Sequence, residues 1–237
     1  MTIATVAKQI GTKPPVLFER VLLYPGTFNP WCEHHRTCVN ALVKIKERRE
    51  AVEPVVPVSV VVWPVGDYGK GGELAPPQAR KDMLYAGLSD LIEAKKVVLE
   101  THDLDYAYAG YTPTAEMQAR LAARPRTALH EEFYTVRAMP TVIVQVWHVL
   151  GADNVPNITG WEDGSALWKH GRFIILSREG TVSAELPPHH TLLDLKMKGN
   201  ASDVRKNIRS GKPWEHLVPK GVAVCIKRRG LYGFQSH

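Results

Sequence analysis

The fold is decided by the stretch Val21-Leu22-Leu23-Tyr24-Pro25-Gly26-Thr27-Phe28-Asn29-Pro30-Trp31-Cys32-Glu33-His34-His35. Its apolar start predicts a buried parallel strand, Gly26 allows a tight turn, and residues 34 to about 49 predict the helix that follows. A helix N-terminus offers unpaired N–H groups and a partial positive charge, and imidazoles in its first turn add hydrogen-bond donors. Strand, turn and helix together therefore predict a cradle for a bound polyphosphate.

The rest of the chain alternates predicted strands and helices. Runs of β-branched and apolar residues predict strands at residues 58–63, 95–100, 141–150, 172–180 and 191–195. Helices are predicted after Pro76-Pro77, over residues 112–124 and near Ser202. This order predicts an α/β protein with a Rossmann-like, doubly wound parallel sheet in three α/β/α layers. Residues 1–15 lack a periodic pattern and are interpreted as an N-terminal arm, and residues 16–237 as a single domain.

Composition narrows the class of partner. The 237 residues carry a formal charge of +6, which favours anionic partners such as nucleoside triphosphates, nucleic acid or an acidic membrane surface, although an uncommitted basic surface fits as well. Charge alone supports nucleic acid, and no nucleic-acid-binding module occurs. No run of eighteen apolar residues and no secretory signal pattern occur, so we expect a cytoplasmic protein without membrane contact. The three cysteines cannot all pair with one another, which fits a reducing compartment.

Three later stretches carry candidate ligand groups. Four glycines between residues 66 and 72 predict a backbone that a ligand approaches or a flexible lid, with a solvated turn as the alternative. Asp153 follows a predicted central strand, where a carboxylate either accepts hydrogen bonds from ribose hydroxyls or caps the next turn. Near the C-terminal end of the chain, Ser202 is expected to cap a helix from which Arg205 projects, so that both face one anion.

A metal site is a further alternative. Thiolate and imidazole ligands suit zinc, and Cys32, His34, His35 and Cys38 lie within seven positions. This crowding at a helix start makes tetrahedral closure by all four difficult, so the prediction is that the protein has no metal ligands of its own. We expect His34 to face solvent, because neighbouring side chains on a helix diverge by roughly 100°.

The stretch around Gly26 resembles the mark of the nucleotidyltransferase superfamily, Gly-x-Phe-x-Pro-x-His-x-Gly-His after the first strand. Gly26, Phe28, Pro30 and His35 follow this pattern, with Asn29 between them, whereas Cys32 replaces the first histidine and His34 the glycine. Further blocks are similar to the nicotinamide/nicotinate mononucleotide adenylyltransferases. These blocks are Pro64 to Leu74, Arg80 with Met83, Gly151 to Trp161, Arg172 to Gly180, Gly199 to Arg209 and Trp214 to Tyr232.

This resemblance implies an enzyme of NAD biosynthesis. It would transfer AMP from ATP to nicotinamide or nicotinate mononucleotide, releasing pyrophosphate and forming NAD or its deamido form, with Mg²⁺ bound mainly through the ATP phosphates. Two alternatives stay open: a related nucleotidyltransferase with another phosphate acceptor, and a nucleotide-binding member that lost its chemistry at Cys32. The choice between amide and acid substrate and the association of the chain into a homo-oligomer are also open.

The resemblance also implies roles for individual residues. It implies catalysis by His35 and Arg205, in a nucleotidyltransferase domain at residues 16–237. It implies ATP binding by Gly26, Thr27, Phe28, Cys32, Lys70, Gly151, Asp153, Ser202 and Arg205. It implies binding of the pyridine mononucleotide by Asn29, Tyr134, Thr135, Trp161 and Arg178. For Lys70 a solvated loop position, and for Tyr134 an ordinary helix start, remain alternatives.

Overall fold

The computed structural model describes residues 16–54, 56–66, 74–105, 112–123, 141–177, 185–195, 197 and 199–235. Within these residues a six-stranded sheet has the order β3-β2-β1-β4-β5-β6, and every neighbouring pair is parallel. The strands are β1 (Val16–Gly26), β2 (Val58–Pro64), β3 (Val98–Leu99), β4 (Thr141–Gly151), β5 (Arg172–Ser177) and β6 (His190–Asp194). The reversal of strand order at β1 and β4 creates the crevice where such sheets bind ligands.

Helices cover both faces of this sheet. They are α1 (Glu33–Val52), α2 (Pro77–Glu93), α3 (His102–Asp105), α4 (Thr114–Ala122), α5 (Gly164–His170), α6 (Ala201–Arg209) and α7 (Lys220–Arg229). Short 3₁₀ helices lie at Ala152–Gly160, Glu215–Leu217 and Leu231–Gly233. None of the described helices is long and apolar enough to cross a membrane.

The alternation of side chains along β1 explains why helices pack on both faces of the sheet. Leu22 belongs to the core shared with α1, α2, α6 and α7, whereas Leu23 belongs to a second cluster with Met117 and Leu121 of α4. Successive residues of a strand point to opposite faces, so the continuous apolar run of β1 buries both. The predicted Rossmann-like parallel sheet with three layers is therefore confirmed.

Some predicted boundaries differ from the structure. The third strand was expected at residues 95–100 but covers only Val98–Leu99, because Lys95 adopts a left-handed conformation (φ 55°) that ends the turn after α2. The first helix begins at Glu33 and extends to Val52. Cys32, Cys38 and Cys225 are buried and are not joined by disulfide bonds. The N-terminal arm expected at residues 1–15 lies outside the described residues.

Helix α2 packs closely against the turn after β1 at Gly87. A Cβ atom at this position would lie 2.7 Å from Nε1 of Trp31, well inside van der Waals contact. Trp31 is fully buried, and Arg36 of α1 donates a hydrogen bond to the Gly87 carbonyl at 2.6 Å. The glycine therefore sets how closely α2 approaches the predicted phosphate cradle.

Replacing this glycine tests that contact. Gly87→Ala should lower the free energy of unfolding by about 1–2 kcal/mol, because overpacking at Trp31 costs about 1–3 kcal/mol and exceeds the gain in helix propensity of up to about 1 kcal/mol. Urea denaturation measures the change. Ser89→Ala, on the exposed face of the same helix, is the matched control and should leave stability unchanged or slightly raised. An increase in stability for Gly87→Ala would contradict the packing described here.

Candidate active site

The turn after β1 is shaped by an aromatic cluster. Phe28 has a left-handed backbone (φ 47°) and is buried, and its ring packs edge-on against Tyr24 and Trp31 at centroid distances of 5.4 and 5.0 Å. A Cβ atom on Gly26 would lie 2.6 Å from this ring, so only glycine fits there. Ring packing therefore stabilises an unusual backbone that turns the chain towards the start of α1.

The first turn of α1 fixes the chemistry of His35. The backbone N–H of Cys32, the N-cap residue, donates a hydrogen bond to Nδ1 of His35 at 3.0 Å. Because Nδ1 accepts, a neutral imidazole carries its proton on Nε2. His35 is half-buried and lines the cavity at the ends of the strands.

The prediction that His34 faces solvent is wrong. Its side chain is 6% exposed, and its ring centroid lies 3.8 Å from that of His35. Both imidazoles line the same cavity. The α1 end of the candidate site therefore contains two adjacent imidazoles.

Asn29 joins the turn to the C-terminal part of the chain. Its carbonyl oxygen accepts a hydrogen bond from Arg205 at 2.7 Å, and its side-chain oxygen accepts from the Tyr232 hydroxyl at 2.7 Å. The same oxygen also accepts from the Ala75 N–H at 3.0 Å. Burial raises the pKa of Tyr232, so its hydroxyl stays a donor. The turn is therefore held by residues more than 170 positions away in sequence.

Arg80 of α2 holds the same turn from the other side. This arginine is fully buried, and its guanidinium donates to the carbonyl oxygens of Thr27 at 3.0 Å and Val65 at 2.5 Å. It thus ties together the loops that follow β1 and β2. A guanidinium presents several donors in a rigid fork, which suits it for joining two backbone segments.

The start of α6 differs from the prediction at Ser202. Asn200 is the N-cap, since its side chain accepts from the Asp203 N–H at 2.9 Å and the Asp203 carboxylate accepts from the Asn200 N–H at 3.2 Å. Asparagine caps helices as well as serine does, and Asp203 completes a reciprocal pair. Ser202 instead accepts a hydrogen bond from Arg205 at 3.2 Å.

The opposite wall of the cavity comes from the segment after β4. Asp153 is exposed in the 3₁₀ helix that starts at Ala152, and Trp161 follows the end of this helix half-buried. The Asn154 amide donates to the Asp153 carboxylate at 3.4 Å, and a Cβ atom on Gly151 would lie 2.3 Å from the Asp153 Oδ1. Asp153 lines the same cavity as Gly26.

The cavity gathers seven of the predicted site residues in a volume of about 720 Å³. These are Gly26, Thr27, Phe28, His35, Gly151, Asp153 and Trp161. Four others are described but do not line it, namely Asn29, Cys32, Ser202 and Arg205. Lys70, Tyr134, Thr135 and Arg178 lie outside the described residues.

Sequence reasoning missed the contribution of α4 and β4. Thr114, the first residue of α4, lines the cavity together with His148 of β4. The His148 Nε2 lies 2.8 Å from the amide nitrogen of Gln118, and burial lowers the pKa of His148 to about 4, so the ring is neutral near pH 7. The sequence contained one signal for α4. The pair Tyr111-Thr112 lies just before Pro113 and Thr114, and it repeats the Tyr-Thr pair found at residues 134–135.

Removing one hydroxyl tests how the turn is held. Tyr232→Phe should lower stability by about 1 kcal/mol, equivalent to about 2–4 °C in Tm for a chain of this size, because Asn29 loses one of two donors to its side-chain oxygen. Differential scanning calorimetry measures the shift. Tyr85→Phe, at an exposed position of α2, is the matched control and should leave Tm unchanged. Equal shifts for the two variants would show that the Tyr232 contact does not stabilise the turn.

A parallel sheet in this order, with a glycine turn and a helix N-terminus beside a cavity at its switch point, defines a Rossmann-like α/β fold. Solved structures share the fold. Plasmodium falciparum nicotinic acid mononucleotide adenylyltransferase complexed with APC has a TM-score of 0.61 at 18% identity, covering 91% of this chain and 98% of that chain. The same protein complexed with NaAD also has a TM-score of 0.61 at 18% identity, covering 92% of this chain and 98% of that chain.

Curated sequences narrow the class. A probable nicotinate-nucleotide adenylyltransferase of Tropheryma whipplei is 33% identical over 89 residues, covering 37% of this chain and 48% of that protein. One of Dehalococcoides mccartyi is 25% identical over 224 residues, covering 87% and 94%. The chain thus matches about half the length of the first of these relatives, and no family model matches it. The chain is thus similar in sequence to nicotinate-nucleotide adenylyltransferases and similar in fold to solved members of that group, which confirms the resemblance in its motifs.

Proposed function

We propose that the protein transfers AMP from ATP to nicotinate or nicotinamide mononucleotide, forming the dinucleotide and pyrophosphate. The observation that carries this proposal is one cavity lined by the imidazoles at the start of α1 and by the aromatic ring of Trp161. Its volume of about 720 Å³ is at the upper part of the range for small-molecule sites, roughly 300–1,000 Å³. Names and bound ligands of the relatives support nucleotide substrates of this kind.

The reaction needs no covalent intermediate with the protein. A 5′-phosphate oxygen of the mononucleotide attacks the α-phosphorus of ATP, a new P–O bond forms, and the bond to the bridging oxygen breaks to release pyrophosphate. The protein contributes positioning and stabilisation of charge on the phosphoryl oxygens. His35 suits this task because its tautomer presents Nε2–H, and the N–H groups at the start of α1 add donors.

The other end of the cavity suits the second substrate. Trp161 offers a π-face to the electron-poor pyridinium ring. Asp153, beside it on the same wall, offers a carboxylate to the ribose hydroxyls of ATP. Arg205 is proposed as a positioning residue, since it reaches the reacting groups through the Asn29 carbonyl. Contacts from Lys70, Tyr134, Thr135 and Arg178 remain assigned by resemblance.

The described residues fit a Mg²⁺ ion that arrives with its nucleotide. The cavity wall offers the separate carboxylates Asp153 and Glu162, and the clustered ligand groups of the described chain are thiol and imidazole, which do not suit this ion. Phosphate oxygens would therefore hold most of the Mg²⁺ coordination shell. When bound, the ion neutralises charge on the phosphates and helps the departure of pyrophosphate.

Pyrophosphate release tests the reaction directly. ATP should support release with nicotinate mononucleotide, nicotinamide mononucleotide or both, and phosphopantetheine serves as the control acceptor. The ratio of kcat/KM for the two pyridine substrates assigns the choice between acid and amide. Binding of ATP without release with either substrate would identify a nucleotide-binding member that has lost its chemistry, and release only with the control acceptor would assign another reaction.

Replacing His35 tests its proposed role as a hydrogen-bond donor to phosphate. His35→Ala should lower kcat by about two orders of magnitude or more, because a donor to the charged transition state is lost. His216→Ala, an exposed histidine in the 3₁₀ helix Glu215–Leu217, is the matched control and should keep full activity. Circular dichroism of both variants checks the fold, since His35 also accepts the hydrogen bond of the N-cap. Full turnover by folded His35→Ala would exclude the proposed donor.

A further inference from the structure

Three potential metal ligands meet in the first turn of α1. One ligand atom from each of Cys32, His34 and His35 lies within 4.8 Å of the other two, and two of the three residues are buried. Ligand atoms around tetrahedral zinc are roughly 3.5 Å apart, given bond lengths of about 2.0–2.3 Å. Small side-chain rotations would therefore bring all three atoms onto one ion.

We propose that Cys32, His34 and His35 form a site for a soft divalent cation such as Zn²⁺, with its fourth position open to the cavity. A thiolate with two imidazoles selects Zn²⁺ or Co²⁺ over Mg²⁺. Two of the three ligands line the cavity, so a water molecule can complete the tetrahedron. Crowding makes coordination by all four residues, including Cys38, difficult, but this site needs only three of them.

A second group of soft atoms adjoins this cluster. Sγ of Cys38 lies 3.3 Å from Sδ of Met197, and both residues line the cavity beside His34. Cys38 follows His34 by four positions on α1, so the two share one helix face. The phosphate end of the cavity is thus rich in sulfur and imidazole.

Ion binding requires a change at His35. Its Nδ1 accepts the Cys32 N–H, so the ion must either displace that hydrogen bond at Nδ1 or replace the proton on Nε2. The thiol of Cys32 transfers its proton to solvent as the sulfur–metal bond forms. In the first case Nδ1 no longer accepts the N-cap hydrogen bond, and in the second case Nε2 no longer donates to phosphate. The ion and the nucleotide therefore compete, a consequence that rests on the proposed function.

Cobalt is the probe for the site itself. Titration of the metal-free protein with Co²⁺ should give one equivalent bound, a thiolate-to-cobalt charge-transfer band in the near ultraviolet, and the strong visible bands of tetrahedral cobalt. Cys32→Ser should abolish the charge-transfer band, and His34→Gln should weaken binding at least tenfold. Cys225→Ser, which replaces a buried cysteine of α7, is the matched control and should keep the spectrum. Circular dichroism confirms that each variant is folded.

Two spectral outcomes overturn the site: wild-type protein without the band, or a band that persists in both Cys32→Ser and His34→Gln. A band lost in Cys38→Ser but kept in Cys32→Ser would assign the cobalt to the other sulfur pair and also overturn it. None of these readouts depends on catalysis, so they stand if the proposed reaction fails.

Competition with nucleotide is tested separately. Micromolar Zn²⁺ at fixed excess Mg²⁺ and ATP should inhibit pyrophosphate release by wild-type protein, with each variant compared with its own rate in the absence of Zn²⁺. Chelation by ATP affects all variants equally, so weaker inhibition of His34→Gln than of Cys225→Ser isolates the site. Equal inhibition of these two variants would contradict the competition, while leaving the cobalt result and the proposed reaction to be judged on their own assays.

Discussion

The structure depends on the confinement of the backbone turn between β1 and α1. Two guanidinium groups hold its carbonyl oxygens, Arg80 that of Thr27 and Arg205 that of Asn29. Hydrogen bonds from charged donors contribute more than neutral ones, and a buried carbonyl that loses its donor costs about 1–3 kcal/mol. Because the turn is fixed in this way, the N–H groups and imidazoles of the first turn of α1 are ordered before a ligand binds. Binding would then not lose the conformational entropy of ordering them.

The altered motif changes the chemistry at this turn less than its sequence suggests. Cys32 occupies the N-cap position, and its backbone N–H still orients the His35 ring, so the donor function of the final histidine does not need a histidine at position 32. His34 adds a buried imidazole where the superfamily motif has glycine. The residues proposed to keep a phosphate donor thus also supply the proposed soft metal ligands, which connects the two proposals.

Local patterns were sufficient to predict β1, its glycine turn, α1 and the parallel sheet, because apolar runs and turn residues act over a few positions. Long-range contacts were not predictable in this way. Arg80 reaches a carbonyl 53 positions away, which no local pattern encodes. His34 was wrongly predicted to face solvent, because helix periodicity gives the direction of a side chain but not what packs around it. Ser202 was wrongly predicted to be the helix cap, because Asn200 is an equally good cap nearby.

We propose that the phosphates of ATP bind at the N-terminus of α1 beside His35. A crystal structure with a non-hydrolysable ATP analogue and Mg²⁺ would reveal their position. We expect the triphosphate within hydrogen-bond distance of His35 Nε2 and the N–H groups of the first turn of α1, and the ribose near Asp153. A nucleotide bound elsewhere, or a triphosphate turned away from this helix end, would contradict it.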